Sequence, residues 1–520
     1  MDTPLAGSQK KAERLIFTVI ILFTIVTAIY FRFNNLHQSP AWYSDEGNHI
    51  DLAENWMQGK WQNYGILGAP YSQRPPLYMY TVAAAMRLFG VDIQVSRGVS
   101  ACGNLICCLL AGWIAWKRQG RREGILTLWV AAAAPWIVTF GRLGLTYNLM
   151  APFFLFSLMA IHEYCLKPSP GWLAASAIEA ALAFSTDYLG ILCGVTAGLV
   201  LLVKRPRSLF GFGTIFLAVL VVVFLPVLCV NAGVFFTDMR NLFVWGGGVQ
   251  SSSSSLISIL VNYVELLRRE SWILIGLCGL FLLKDGSLRN ILLTAVGLTL
   301  LMVTRAYTPV GVGLHYLMHL FPIFALGLAV FMLHAYEFIK RLMQKELTSL
   351  FSRLPRVVSP AATLLSAAIV FTPLVWMVLS SFAITTYNSN YIFTGNDDLR
   401  LLEVKPAENV RAFISAHVSP GDLVLGSPAI LWGLPTMNRA DFLAALAYIG
   451  QKPQNYITVD RQRYTNDISL EKAKFVILDP LAEEFAPLVL PGMDGFLLEI
   501  HKMPAVFTSG NITVYAGQEK

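Results

Sequence analysis

Charge is scarce in this chain. Only 14% of its 520 residues are Asp, Glu, Lys or Arg, against 55% apolar, whereas an average soluble domain carries roughly 25% charged residues. A row of three or four water-soluble domains, the ordinary expectation for this length, is therefore excluded. The net charge of +7 is spread over short segments instead of forming one basic face, which excludes a nucleic-acid binder. Cysteine is missing from the polar C-terminal region. All seven (Cys102, Cys107, Cys108, Cys165, Cys193, Cys229 and Cys278) fall inside apolar runs, so spacing gives no disulfide framework. No small-residue cleavage site follows the first apolar run, Leu15 to Phe31, which reads as a retained span and not as a signal peptide.

What the sequence has instead is long apolar runs. A spanning helix needs about 20 mostly apolar residues, and runs near 15–31, 95–116, 123–140, 146–166, 172–186, 188–203, 209–230, 271–283, 290–304, 315–338 and 359–386 are candidates. They predict a polytopic α-helical membrane protein of about 11 transmembrane helices. A twelfth run, Pro76 to Gly90, opens on two prolines and carries Arg87, and a charge at the membrane centre costs about 2.5–3.5 kcal/mol. With that run lying on the outer interface and the N-terminus inside, the inner segments hold 18 Lys and Arg and the outer loops 10. Were it to cross, the counts would be exchanged, so the positive-inside rule prefers the first arrangement.

Residues 1–387 are then the transmembrane domain, with outer loop one at 32–94. The 133 residues from Asn388 to Lys520, with 15 acidic and 11 basic side chains, form a separate extracytoplasmic domain. Its pattern predicts an amphipathic helix over Asn409–His417 and strands at Asp422–Leu425, Lys474–Leu478 and Asn511–Tyr515, hence a small α/β domain.

The unusual polar residues collect on the outer face. Loop one contains Trp42-Tyr43-Ser44-Asp45-Glu46-Gly47-Asn48-His49, then Asp51 and Glu54 in helical rhythm with Ile50, Leu52, Ala53 and Trp56. Capping alone accounts for part of this: Ser44 suits an N-cap, and acids in a first turn favour the positive end of the helix dipole. The functional alternative makes Asp45 a carboxylate aimed at a membrane-borne substrate, accepting a proton from an attacking hydroxyl or amine, with His49 one turn on to orient it.

The loop closes on Gln73-Arg74-Pro75-Pro76-Leu77-Tyr78. There Arg74 stands at headgroup height, either as a phosphate ligand or as a snorkelling arginine. Further outer cations and donors are Arg142 in the turn Gly141–Asn148, Arg268, Arg269, Arg305, and His315-Tyr316. Each also serves as an interfacial anchor, but together they suit an anionic, membrane-anchored substrate. Phe235 to Ser255, with Gly246–Gly248 and the serine run 251–255, reads as a flexible linker or a mobile lid.

In this order these features resemble the GT-C superfamily of integral-membrane glycosyltransferases, in particular the protein O-mannosyltransferase and aminoarabinose transferase branch. The resemblance rests on Ser44-Asp45-Glu46, the run Arg74-Pro75-Pro76-Leu77-Tyr78 with Leu88-Phe89-Gly90 and Arg97 behind it, the Arg142 turn, and His315-Tyr316 leading into Phe321-Pro322. It covers the first 340 residues. It implies a polyprenyl-phosphate-sugar donor, a protein, lipid or polysaccharide acceptor, and inversion in one displacement. Asp45 would be the catalytic carboxylate and Glu46 its partner. Arg74, Arg142, Arg305, His315 and Tyr316 would bind the donor phosphate, with His49 and Tyr78 in support.

Two positions depart from the pattern. Tyr147-Asn148 stand where relatives often carry an acid, so a divalent metal is left without a supporting motif and no cofactor is assigned. His315 stands where arginine is common, which turns a permanent charge into a titratable one. The tryptophan-rich motif of oligosaccharyltransferases is missing. Two rivals remain at this level, a flippase of polyprenyl-linked glycans and a noncatalytic membrane scaffold.

Overall fold

A computed structural model describes residues 4–517, apart from 61, 67–74, 249–260, 262, 265, 269, 304–306, 309, 310, 313, 351–354, 388–400, 437, 452–459 and 465. The chain begins with helix α1 (Pro4–Phe33). A two-residue strand β1 (Trp42–Tyr43) and helix α2 (Ser44–Met57) follow, then α3 (Pro76–Phe89) and α4 (Ile93–Arg118). Next come α5 (Arg121–Ala133), α6 (Pro135–Arg142), α7 (Thr146–Leu166), α8 (Pro170–Thr186), α9 (Ile191–Lys204) and α10 (Ser208–Gly248). The bundle closes with α11 (Ser271–Phe281), α12 (Gly286–Val303), α13 (Phe321–Leu350) and α14 (Pro355–Tyr387).

Every one of the eleven apolar runs is helical, but they are not equally long. Seven helices among the described residues are long and apolar enough to cross a membrane, and α5 with α6 makes an eighth, bent by 55°. The bend follows from Pro135. The residue before a proline is driven out of the helical region, and Ala134 is extended at φ −65°, ψ 122°. The three remaining runs, α8, α9 and α11, are helices of 17, 14 and 11 residues, so by length the expected eleven spans reduce to seven or eight full ones. Helix α11 packs unusually close to α13: a Cβ added at Gly279 would lie 1.8 Å from the Gly327 carbonyl oxygen, so only glycine permits this crossing.

Pro76–Phe89 is a 14-residue helix, as its pattern predicts, with Tyr78, Met79, Val82 and Met86 buried and Leu88 and Phe89 outward. The expected flexible segment is partly helix instead: α10 breaks at Asn231 and then continues through Gly248, while the serine run lies outside the described residues. All seven cysteines are free thiols.

The polar region after the last helix folds as a small mixed sheet. Strands β2 (Leu423–Leu425), β3 (Arg439–Ala440), β4 (Ala473–Leu478), β5 (Ala505–Ser509) and β6 (Ile512–Ala516) run in the order β3-β2-β4-β6-β5. The first three are parallel and the last two antiparallel. The helix over Val404–His417 covers one face, and its apolar rhythm at Val410 and Ile414 is buried there. Each predicted strand is present within a residue or two.

This domain is seated on loop one. Strand β1 pairs antiparallel with Leu401–Leu402, Trp42 opposite Leu402. One continuous apolar core joins Ile50, Leu52, Tyr78 and Met79 of α2 and α3 to Val404, Ile430, Trp432 and Ile477 of the C-terminal domain. A Cβ on Gly47 would meet the Pro428 carbonyl oxygen at 1.8 Å, so α2 lies directly on the domain's backbone. The two regions therefore occupy the same side of the bundle.

Burial also writes a pH dependence into this domain. Asp441 caps the helix Phe442–Tyr448 by accepting from Ala444 N at 2.8 Å, and burial pushes its carboxyl from 3.8 up to about 7. An acid whose folded value is raised binds its proton more readily in the folded state, so its contribution is full below pH ~4 and is lost as pH rises toward 7. Asp441→Asn keeps a capping oxygen and removes the cost of a buried charge, on the order of a few kcal/mol, which outweighs the loss of about 0.3–1 kcal/mol of charge–dipole attraction. The variant is expected to melt higher than the parent at pH 8 and to show a shallower fall in melting temperature between pH 5 and 8. Identical pH slopes would remove Asp441 as the cause.

Candidate active site

Helix α2 carries four carboxylates, and the fold assigns three of them to fixed partners. Glu46 is fully buried and receives four donors: Arg97 Nε at 2.8 Å and Gly144 N at 2.6 Å on Oε1, Arg97 Nη2 at 2.6 Å and Tyr43 N at 3.0 Å on Oε2. Asp51 and Glu54 share Arg439 of the C-terminal domain, whose Nη2 lies 2.9 and 2.8 Å from them. The second oxygen of Asp51 accepts from Ile66 N at 2.9 Å. Burial pushes the Asp51 carboxyl up to about 6, and Arg439 works against that rise. Asp45 is half-buried, and among the described residues no hydrogen bond or ion pair engages it.

The helix start differs from expectation by one residue. Tyr43 occupies the N-cap and Ser44 is the first helical residue; the cap's N–H is taken by Glu46, three residues on. Glu46 is thus the brace of the helix start and has no lone pair left for chemistry.

Three arginines are completely buried at this end of the bundle, Arg32, Arg97 and Arg142. Arg142 donates to the carbonyls of Phe31 (2.6 Å), Asn34 (2.5 Å), Asn35 (3.1 Å) and Ser39 (2.8 Å). Arg97, besides Glu46, reaches the carbonyls of Leu36, Pro40 and Ala41 at 2.8–3.0 Å. Arg32 closes the set on Ala131 and Ala132 O at 2.6 and 2.7 Å. The irregular stretch between α1 and β1 has no ladder to satisfy its carbonyls, and a buried one left unpaired costs about 1–3 kcal/mol. Arg97 and Arg142 supply those donors. Arg142, expected from sequence to bind a donor phosphate, here holds loop one through these carbonyls.

Other expected residues do meet. A short 3₁₀ turn, Leu314–Leu320, carries His315 and Tyr316. The His315 ring lies 6.4 Å from Tyr43, 6.2 Å from Tyr147 and 4.1 Å from Tyr316. Residues distant in sequence thus form an aromatic floor next to the residue that precedes Ser44-Asp45. Asn148 donates to Phe140 and Leu143 O at 2.8 and 2.9 Å, and Thr146 to Asp187 at 2.7 Å, which fixes the turn carrying Tyr147. His49 is buried, donates from Nδ1 to Gly144 O at 2.9 Å, and meets the Tyr78 ring edge-on at 5.5 Å. Tyr78 in turn bonds Ser96 and Ser100. Arg74 and Arg305 lie outside the described residues. Among the described residues no three His, Cys, Asp or Glu side chains converge as metal ligands would.

On the C-terminal side, Trp42 packs edge-on against Trp432 at 5.4 Å, and the Arg411 guanidinium lies 3.8 Å over the Trp432 ring. Arg463 holds Asp238 near the end of α10 in a two-pronged pair of 2.5 and 3.0 Å. Sequence reasoning passed over Arg439, Arg411 and Arg463. Their only mark was that basic residues are the minority in that domain.

Residues 73–230 match the family described as dolichyl-phosphate-mannose-protein mannosyltransferase, a segment that holds α3, Arg97 and Arg142 but begins after Asp45. No curated protein matches the chain in sequence. Among solved structures, ArnT from Cupriavidus metallidurans bound to undecaprenyl phosphate superposes with a TM-score of 0.62 at 15% identity, over 96% of this chain and 99% of that one. The oligosaccharyltransferase AglB from Archaeoglobus fulgidus, in complex with an inhibitory peptide and a dolichol-phosphate, superposes with a TM-score of 0.57 at 11% identity, over 96% of this chain and 74% of that one. Residues 73–230 thus carry the likeness to that mannosyltransferase family, and nearly the whole chain shares the fold of the ArnT structure.

Proposed function

We propose that this protein transfers a sugar from a polyprenyl-phosphate donor to a hydroxyl or amine acceptor on the extracytoplasmic face of the plasma (inner) membrane, with Asp45 as the general base. One observation supports the reading: of the four carboxylates on α2, Asp45 is the one that no described residue engages and it is half-buried, while the other three hold its helix in place. A base must be held still and must remain able to take a proton.

In the proposed step the acceptor oxygen or nitrogen forms a bond to the anomeric carbon as its proton passes to Asp45. The bond from that carbon to the phosphate oxygen breaks, and the electron pair leaves with polyprenyl phosphate. A single displacement of this kind inverts the anomeric centre. Charge grows on the leaving phosphate, so donors aimed at it contribute most. Arg74 and Arg305 are proposed for that work together with His315, which lies beside Tyr43, and Tyr316, which lies against His315. The lipid phosphate in the Cupriavidus relative supports the donor class, and the excess of Lys and Arg on the inner segments supports the orientation.

The test is turnover by the purified protein with polyprenyl-phosphate hexoses and pentoses, following release of the lipid phosphate. At least one donor is expected to be consumed. Intact donor throughout, with protein, lipid and polysaccharide acceptors all supplied, would refute the reading.

A further inference from the structure

The bundle has a second cleft at the end away from α2. Helices α1, α5–α6 and α13 give its position: Arg32, Arg142 and, just before α13, His315 lie at the α2 end, whereas Arg122 stands at the far end of α5–α6, Arg341 well along α13 and Phe17 midway along α1. Between α1, α5, α13 and α14 is a cavity of about 1040 Å³ lined by Phe17, Phe23, Leu126, Leu374, Arg122 and Arg341. Its walls are apolar and its mouth is charged.

Helix α1 rides at the periphery, with only 17% of its apolar stretch buried against the rest of the protein, so side chains do not fill the space behind it. Interiors are close-packed, and in a bilayer the material at hand for such a groove is hydrocarbon. At the mouth, Lys284 also lines the cavity but its ammonium is held by Glu123 at 2.7 Å. Arg122 and Arg341 then face the single acid Glu337, which leaves the rim one positive charge in excess. A guanidinium fork suits phosphate oxygens, and basic pockets between spans are a recurring setting for anionic headgroups. One net charge matches a phosphodiester better than the phosphomonoester of a polyprenyl phosphate.

We propose that this groove holds one anionic phospholipid of the leaflet opposite the α2 site, its acyl chains along Phe17, Phe23, Leu126 and Leu374 and its phosphate between Arg122 and Arg341. The lipid stands in for protein packing between α1 and the bundle and is separate from any donor at α2. The test uses the whole protein in nanodiscs of neutral phosphatidylcholine doped with phosphatidylglycerol. Lipids retained after detergent extraction are counted by native mass spectrometry, and the melting temperature is followed alongside.

The parent is expected to retain one phosphatidylglycerol and to melt higher as its fraction rises. Arg122→Gln/Arg341→Gln, both at exposed positions, is expected to melt as the parent does in pure phosphatidylcholine, to lose the rise, and to retain the lipid at least about tenfold less. Equal retention of phosphatidylcholine, equal retention by the double variant, or preferential capture of added undecaprenyl phosphate would each overturn the proposal.

Discussion

Replacing Asp45 with asparagine is expected to stop sugar transfer while leaving the protein folded. Asparagine keeps the shape and loses the proton acceptor, and a positioned base contributes about 10²- to 10⁴-fold to rate. The expected result is a fall in kcat of at least about 100-fold with KM little changed, the pattern of an interaction needed only in the transition state. Because no partner among the described residues engages Asp45, its melting temperature should match the parent's. That separates it from the neighbouring acids, whose removal strands a buried arginine. Glycan flipping or scaffolding would be indifferent to the change, so transfer at the parental rate in Asp45→Asn would end the assignment of this residue. Parental lipid translocation with no transfer in either protein would favour the flippase instead.

Much of the architecture was written in local pattern. Apolar runs of the right length became helices because they could bury themselves in one another or in lipid, and Pro76–Phe89 is helical because its prolines sit at the first turn, where a missing N–H costs nothing. Short apolar runs at Leu423–Leu425 and Ala473–Leu478, and the partial alternation of Ile512–Ala516, became strands for the same local reason. Partnership was not local. Glu46 meets Arg97 across 51 residues, and Asp51 meets Arg439 across 388, distances over which a single sequence carries no pairing signal. The turn at Arg142 looked like an outward loop because it is short and polar. What decided its direction was the need of buried carbonyls in residues 31–39 for donors, which appears only once the loop is folded inward. Acid clustering near residue 45 was visible from the start, whereas the division of labour within it, three braces and one open carboxylate, depended on where the partners lie.

The Glu46–Arg97 pair gives the second large effect. Arg97→Met leaves Glu46 buried without its counter-charge and strips donors from the carbonyls of Leu36, Pro40 and Ala41, and breaking a fully buried pair on one side costs about 3–5 kcal/mol. The variant is expected to melt well below the parent and to lose transfer, since Glu46 ties the cap of α2 at Tyr43 to the turn at Gly144 and Asp45 stands between those ties. Glu46→Met alone should destabilise to a similar degree. In Glu46→Met/Arg97→Met no charge is stranded, so the double change should cost less than the sum of the two single changes, with a coupling of about 0.5–3 kcal/mol. Stability would then return in part, but activity would not, because the apolar pair packs the space without holding Tyr43 N and Gly144 N. If the double variant regained transfer along with its melting temperature, bulk packing and not the carboxylate would position Asp45. If Arg97→Met alone kept both, the clamp would have no role in presenting the base.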